Sequence, residues 1–408
     1  MRRASVATVG VDRLRIGSAR AMFAWRRVIR STGSASLDQV LWSRPFFKAN
    51  LEAVGNMTAN PPGSGMIWSL QSLRFAAATM VVYFHAAGVS LIATGSYGLL
   101  PRNFQIVGRA GVDIFFVLSG VIIAKTARRL TWREFVWRRF RRIVPMYLLI
   151  SIPTALVMAK TSFGWRDALA TLFLWPATDR MTSPALLAAW TLCFEMLFYA
   201  AVTAVLVDRR LLSVGVGVFT AAMALRARGP IFQFLGNPII FEFVFGVALS
   251  YLPRCRPAVW CLPIGAAALV AAGFIGIAPP IEINMELLAG DENFRRVLVY
   301  GVPAAMIVLG TMQIDAKPSA WTFLGDASYT LYLSHMLPIQ LLLLWCMAHP
   351  MAPELTTVIG SLASVLFAWR MYVLFEIPLL EWLGRRKCGA IGDGPARAIA
   401  SGPGSDLP

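Results

Sequence analysis

The chain contains about ten apolar stretches of roughly 20 residues each, and this feature limits its possible folds more than any other. An α-helix of that length crosses the hydrocarbon core of a bilayer, where backbone polar groups must be hydrogen-bonded within the span. Composition agrees, because 57% of the 408 residues are apolar and only 14% are charged, whereas a soluble domain is about 25% charged. The sequence therefore predicts an all-α, polytopic membrane helix bundle and argues against a soluble enzyme.

The apolar stretches predict ten transmembrane helices within a membrane domain that covers residues 67–383. Their ranges are 73–94, 108–126, 143–162, 184–207, 210–227, 231–252, 257–278, 296–314, 322–346 and 355–381. A further apolar segment, residues 166–177, is too short to cross a bilayer and is interpreted as re-entrant or interfacial. Residues 1–66 and 384–408 lack such stretches, and we expect both to be disordered and cytoplasmic.

The distribution of basic residues predicts that both termini are cytoplasmic. The chain has 38 Lys and Arg against 21 Asp and Glu, a formal net charge of +17. With the N terminus inside, the cytoplasmic loops and C-terminal tail contain 17 basic residues and the outer segments contain nine. This asymmetry is the positive-inside pattern, so we assign the charge to membrane topology and expect no nucleic-acid partner. The five cysteines show neither disulfide pairing nor metal-ligand spacing.

Ionisable residues inside apolar spans are costly and are therefore candidates for function. The spans contain His85, Asp113, Glu195, Glu242, His335, Arg370 and Glu376. Arg74 stands at the cytoplasmic entrance of the first span, and His85 lies eleven residues later, about 16 Å deeper on the same helix face. An imidazole in that position can accept a proton. The alternative is that individual charged residues pair with one another and fix the helices in place.

The segment 125–142 is the most basic part of the chain and is predicted to be a cytoplasmic loop. Arg139 and Arg142 are one helical turn apart at its end, and two guanidinium groups so placed can bind a phosphate. The ligand is either a lipid headgroup or a phosphorylated cofactor, and the sequence does not choose between them. In a later span, Glu195 and Tyr199 have the i, i+4 spacing that places them on one face.

A third group of polar side chains lies near the C-terminal end of the membrane domain. Ser328, Tyr332 and His335 follow the i, i+4, i+7 spacing and are predicted to form one stripe on a helix. The chain contains no Walker loop, dinucleotide-binding fingerprint or HExxH motif. The sequence therefore offers polar groups within membrane helices and no familiar soluble cofactor site.

Taken together, these stretches resemble the acyltransferase 3 family of integral-membrane O-acyltransferases. The resemblance covers about residues 66–385 and rests on seven elements in order: Arg74 to His85, Gly111-Val-Asp-Ile-Phe-Phe-Val-Leu-Ser-Gly120, Arg139-Phe-Arg-Arg142-Ile-Val-Pro145, Trp190-Thr-Leu with Glu195 and Phe198-Tyr199, Glu242-Phe-Val-Phe-Gly246, Ser328 to His335, and Glu376-Ile-Pro378. The Trp190 to Tyr199 element looks most like that of exopolysaccharide acetyltransferases of ExoZ type.

The resemblance implies a multi-pass protein of the bacterial inner membrane, in contact with membrane lipids, that uses acyl-CoA, usually acetyl-CoA, as donor. The implied acceptor is a hydroxyl of a carbohydrate or of a lipid-linked oligosaccharide, and no metal or prosthetic group is implied. His85 becomes the catalytic residue, as a general base or as a covalent acyl carrier, with Glu195 or Asp113 orienting its ring. Cofactor-binding roles fall to Arg74, Arg139 and Arg142. Supporting roles fall to Trp190, Tyr199, Ser328, Tyr332 and His335.

Two other functions remain open from the residues themselves. A secondary transporter also has ten to twelve spans and carboxylates at mid-membrane, but no self-similarity relates the two halves of this chain. A non-catalytic subunit for polysaccharide export would explain the basic surface, but it would not explain an Arg and a His stacked on one helix face.

Overall fold

A computed structural model describes residues 68–158, 163–281, 283–317 and 319–389. Within these ranges the backbone forms helices and no β-sheet, which confirms the predicted all-α class. The expectations for residues 1–66 and 390–408 lie outside the described residues. Residues 384–389, which sequence analysis places in a disordered tail, continue the last helix.

Eighteen α-helices follow one another along the described chain. They are α1 (Trp68–Thr94), α2 (Arg102–Gly108), α3 (Gly111–Ala127), α4 (Trp132–Met158), α5 (Trp165–Phe173), α6 (Trp190–Val207), α7 (Leu211–Ala224), α8 (Pro230–Leu235), α9 (Ile240–Leu249), α10 (Cys261–Phe274), α11 (Asn284–Ala289), α12 (Asn293–Arg296), α13 (Val302–Met312), α14 (Ala320–Asp326), α15 (Ser328–Ser334), α16 (Met336–Ala348), α17 (Pro353–Met371) and α18 (Ile377–Gly389). Two π-helical turns, Val297–Gly301 and Tyr372–Glu376, join α12 to α13 and α17 to α18.

Nine helical segments of the described chain are long and apolar enough to cross a membrane. They are Trp68–Thr94, Arg102–Ala127, Trp132–Met158, Leu187–Val207, Pro230–Leu249, Arg256–Phe274, Asn293–Met312, Ser328–Ala348 and Pro353–Leu383. The 14-residue α7 coincides with the fifth predicted span but is shorter. Helix α5 has only nine residues, so the segment predicted not to cross is indeed too short to do so. The protein is an integral multi-pass membrane protein.

Two predicted boundaries are wrong. Most of segment 125–142 is helix and not loop, because α4 begins at Trp132. Glu134 accepts hydrogen bonds from the backbone N–H and the hydroxyl of Thr131, each at 3.0 Å, and this capping interaction starts the helix. The predicted span 322–346 is also interrupted, since α14 ends at Asp326 and the span itself begins at Ser328.

The span Arg102–Ala127, which contains α3, is the most buried of the nine in the described chain, and α3 packs closely against α9. A Cβ atom on Gly120 of α3 would lie 2.2 Å from the carbonyl oxygen of Phe243 and 2.9 Å from the Cα of Gly246 in α9. Glycine at both positions lets the two backbones approach, as at other helix contacts in membranes. Gly120 and Gly246, which end two of the sequence motifs, therefore have a packing role. Their contact brings the polar residues of α3 and α9 together.

Candidate active site

His85 lies in α1, on the same face as Arg74, and its side chain is partly buried. Its Nδ1 is 2.9 Å from the carbonyl oxygen of Val81, one turn earlier in the helix. Because a carbonyl oxygen only accepts hydrogen bonds, this contact places the ring hydrogen on Nδ1 and leaves a lone pair on Nε2 when the ring is neutral. His85 therefore presents Nε2 as a proton acceptor inside the membrane domain.

His335 follows α15 directly, and its ring lies against the ring of His85 with 5.0 Å between the two centroids. His335 is fully buried, and its Nδ1 is 2.7 Å from the carbonyl oxygen of Tyr332. Its Nε2 has no hydrogen-bond partner among the described residues. The structure thus brings together His85 and His335, which sequence analysis named separately.

Four charged side chains, Arg74, Arg142, Asp326 and Glu376, interact electrostatically where α1, α4, α14 and a π-turn meet. Arg74 and Arg142 repel each other, and both attract the two carboxylates. Asp326 lies outside the membrane spans. Burial raises the pKa of its carboxyl group above the ordinary value, and the positive charges of Arg74 and Arg142 oppose that rise.

The close approach of α14 to α1 depends on Gly325. A Cβ atom at this position would lie 2.1 Å from the carbonyl oxygen of Gln71 in α1, so only glycine fits there. Gln71 also accepts a hydrogen bond from Arg74 at 3.3 Å. Asp326 comes next in the chain after Gly325, and the contact therefore holds its carboxylate beside the entrance of the first span. Sequence analysis did not identify Asp326 as a site residue.

Arg139 and Arg142 project from the first half of α4 and have different surroundings. Arg139 donates a hydrogen bond to the hydroxyl of Thr126 at 2.9 Å and lies 5.6 Å above the ring of Tyr199. Within the part of the chain that the structure describes, neither arginine forms an ion pair with a carboxylate. The buried Nε of Arg139 and the buried Nη2 of Arg142 likewise have no hydrogen-bond partner there. Each guanidinium therefore has one buried nitrogen that no described residue satisfies with a hydrogen bond.

Glu195 belongs to this arginine-rich region and not to the surroundings of His85. The hydroxyl of Tyr199 donates a hydrogen bond to Glu195, and the hydroxyl of Ser119 lies 3.5 Å from the same carboxylate. The Ser119 contact joins α3 to α6, and the Tyr199 contact within α6 confirms that Glu195 and Tyr199 share a helix face. No hydrogen bond joins Glu195 to His85 among the residues described, so the expected orienting role has no support in this geometry.

Asp113 is held by a residue that sequence analysis did not recognise. Both oxygens of its carboxylate accept hydrogen bonds from Arg296, from Nε at 2.9 Å and from Nη2 at 2.7 Å. Both side chains are buried, and the fixed bidentate geometry is the strongest form of such a pair. No hydrogen bond joins Asp113 to His85 among the described residues, so the expected orienting role of Asp113 has no support in this geometry. Sequence analysis did not single out Arg296, because nothing in the local pattern shows its distant partner.

Glu242 lies beside this ion pair and is fully buried. No N–H or hydroxyl group of the described residues donates a hydrogen bond to its carboxylate oxygens, and its carboxyl group lies next to that of Asp113. A Cβ atom on Gly301 would lie 2.8 Å from one of these oxygens, so the π-turn after α12 closes directly over the carboxylate. Glu242 thus belongs with Asp113 and Arg296 to one buried cluster of charged side chains.

The remaining predicted supporting residues link these regions. The Trp190 ring lies 5.8 Å from the guanidinium carbon of Arg296. The hydroxyl of Tyr332 is 2.9 Å from the hydroxyl of Thr191, and the Tyr332 ring is 6.0 Å from the ring of His335. Ser328 is buried, and its hydroxyl has no hydrogen-bond partner in the described ranges. Ser328, Tyr332 and His335 are all buried. The first two lie in α15, and His335 follows it directly.

Residues 67–373 match the family model that describes the acyltransferase domain. The chain belongs to the acyltransferase 3 family. This match covers nearly the whole membrane domain and confirms the resemblance found in the sequence motifs. The protein is therefore a membrane acyltransferase of the all-α class.

Individual relatives of this acyltransferase extend over most of its length. Over 312 residues it is 33% identical to ExoZ, an exopolysaccharide production protein of Rhizobium meliloti, and the match covers 67% of this chain and 90% of ExoZ. Over 398 residues it is 25% identical to the acyltransferase MdmB of Streptomyces mycarofaciens, covering 82% of this chain and 97% of MdmB. No solved structure matches the chain.

Proposed function

We propose that this acyltransferase moves an acetyl group from acetyl-CoA to a hydroxyl group of a surface or extracellular polysaccharide, or of its lipid-linked precursor, in the bacterial inner membrane. The observation that carries the proposal is the Nδ1 contact of His85 with the Val81 carbonyl, which leaves Nε2 as a proton acceptor. The name of one relative, an exopolysaccharide production protein, supports a polysaccharide acceptor. The membership in an acyltransferase family supports the transfer reaction.

The transfer uses His85 as a general base. Nε2 takes the proton from the acceptor hydroxyl while the hydroxyl oxygen attacks the thioester carbonyl carbon. A carbon–oxygen bond forms, the carbon–sulfur bond breaks, and the proton passes from His85 to the sulfur of the departing CoA. The Nδ1 hydrogen bond to Val81 keeps the ring in one tautomer and one orientation through both proton transfers.

Arg139 and Arg142 are the proposed phosphate-binding residues for the donor. Each has a buried N–H group with no hydrogen-bond partner in the described part of the chain, and phosphate oxygens satisfy such groups well. Arg142 and Arg74 repel each other, and an anion between them lowers that repulsion. Arg74 and His85 are about 16 Å apart along the helix, and an extended pantetheine arm of about 15–20 Å spans this distance.

The proposal is tested by comparing the O-acetyl content of surface polysaccharides in a strain that lacks this protein with that of its parent. We expect the deletion to lower the O-acetyl content and the wild-type protein to restore it. The His85→Ala variant, produced in equal amount in the membrane, should not restore it. An unchanged O-acetyl content in the deletion strain, or full restoration by His85→Ala, would contradict the proposal.

A further inference from the structure

The imidazole rings of His85 and His335 form a pair that the reaction described above does not yet use. The His335 ring is in contact range of the His85 ring, with 5.0 Å between centroids. His335 donates its Nδ1 hydrogen to the Tyr332 carbonyl at 2.7 Å, and its backbone carbonyl accepts a hydrogen bond from Ser364 at 3.2 Å. The ring is therefore fixed in one tautomer, with its lone pair on Nε2.

An unused lone pair in this environment is unusual. Buried polar atoms almost always have hydrogen-bond partners, and one that lacks a partner in a fully buried ring requires an explanation. His335 is 0% exposed, so a carbohydrate cannot reach it without displacing packed side chains. His85 is only partly buried. His335 must therefore act through His85 and not on the substrate directly.

The carboxylates that could have assisted His85 are engaged elsewhere. The Asp113 carboxylate binds Arg296 through both oxygens, and Glu195 binds Tyr199. A catalytic imidazole normally has a third group that orients it and stabilises the charge that forms on it. Among the described residues, the rings of Phe84 and His335 both lie against His85, and of these two only the His335 imidazole is polar.

We propose that His335 is a positioning residue for His85. Its anchored ring holds the His85 ring in place, and its Nε2 lone pair stabilises the positive charge that appears on His85 when the acceptor hydroxyl loses its proton. His335 itself gains and loses no proton in this step. The inference rests on the proposed role of His85 as general base, and it adds a neutral partner where the sequence suggested a carboxylate.

Two substitutions test the roles of Nδ1 and Nε2 of His335 separately. In His335→Asn, the amide nitrogen replaces Nδ1 and keeps the hydrogen bond to the Tyr332 carbonyl, but no acceptor remains at the Nε2 position. In His335→Gln, the amide oxygen replaces Nε2 as acceptor, and the anchor to Tyr332 is lost. His349 provides a matched control for His→Asn, since it is exposed and stacks on Trp345 with 4.3 Å between ring centroids.

The measurement is the transfer of radiolabelled acetyl groups from acetyl-CoA into polysaccharide by membranes of the deletion strain that contain each variant in equal, folded amount. We expect His335→Asn to lower the maximal rate by about tenfold or more, as for the loss of a hydrogen bond to a charged group, with an unchanged KM for acetyl-CoA. His335→Gln should retain a higher maximal rate than His335→Asn, and His349→Asn should match the wild type.

The results distinguish this inference from the proposed function. If wild-type membranes transfer no acetyl group, or His85→Ala transfers it normally, the proposed function fails. If His85→Ala is inactive while His335→Asn keeps a maximal rate within twofold of the wild type, only the positioning role fails. The inference would also be overturned if His335→Asn and His335→Gln lowered the maximal transfer rate equally, or if neither variant appeared in the folded fraction. Either result would show that His335 contributes packing alone.

Discussion

The buried pair of Asp113 and Arg296 yields the sharpest prediction about stability. Their side chains are 0% and 2% exposed, and the carboxylate receives two hydrogen bonds from the guanidinium. Removal of one partner leaves the other charge buried without compensation, which costs about 3–5 kcal/mol. We therefore expect Asp113→Asn and Arg296→Met each to lower the thermal midpoint of the detergent-solubilised protein by several degrees.

The double variant provides the decisive comparison. Asp113→Asn combined with Arg296→Met removes both charges. The double variant should therefore have a higher thermal midpoint than the sum of the two single decreases predicts. Asp179→Asn is a matched control, because the ion pair of Asp179 with Arg166 is largely exposed and exposed pairs contribute little to stability. The midpoint is measured by fluorescence-detected size-exclusion chromatography after heating, together with acetyl transfer per amount of folded protein.

The outcome that would refute this reasoning is a stable but inactive Asp113→Asn. If this variant keeps the wild-type midpoint and loses transfer, Asp113 takes part in the chemistry, as sequence analysis suggested. If the double variant lowers the thermal midpoint by the sum of the two single effects, Asp113 and Arg296 do not stabilise the fold as a coupled pair. Either result would contradict the assignment of Asp113 to the structural support of the helix bundle.

Three further results are expected. Arg139→Lys and Arg142→Lys should each weaken acetyl-CoA binding by about tenfold, since Lys keeps the charge but loses the bidentate geometry; equal affinity by calorimetric titration would leave the donor site unlocated. Gly120→Leu should remove the folded protein from the monodisperse fraction, because even a Cβ atom there would lie 2.2 Å from a carbonyl oxygen of the neighbouring helix; a normal elution profile would contradict the packing account. Reporter fusions after residue 290 should report the periplasm and fusions after residue 385 the cytoplasm, and the reverse at either position would refute the assigned topology.

The bundle could be predicted from sequence because the bilayer imposes a length and a composition on each span. Nine of the ten predicted spans therefore overlap helical segments long enough to cross a membrane, the fifth corresponds to the shorter α7, and the nine-residue α5 was not counted as a span. Sequence patterns predicted the ends of the helices less well where polar interactions determine them. The Thr131 and Glu134 pair that starts α4 is a recognisable capping pattern, but basic composition alone suggested a loop.

The candidate site was predictable only as far as single helices determine it. The shared face of Arg74 and His85 follows from helix periodicity, as does the pairing of Glu195 with Tyr199. The contacts of Asp113 with Arg296 and of His85 with His335 join residues that are far apart in the chain. No periodicity relates such residues, so the partners of the buried groups emerge only from the packed structure.

The most direct test of the account is the acetyl-transfer rate of the purified protein in nanodiscs with acetyl-CoA and the polysaccharide fraction of the deletion strain. Wild type, His85→Ala and His349→Ala are compared at equal folded amount, with mass spectrometry of the product. The account predicts O-acetylated product with wild type and His349→Ala, and at least a hundredfold loss with His85→Ala, within the range of about 10²–10⁴ for a general base. Product formation by His85→Ala at the wild-type rate would contradict the central role of this histidine.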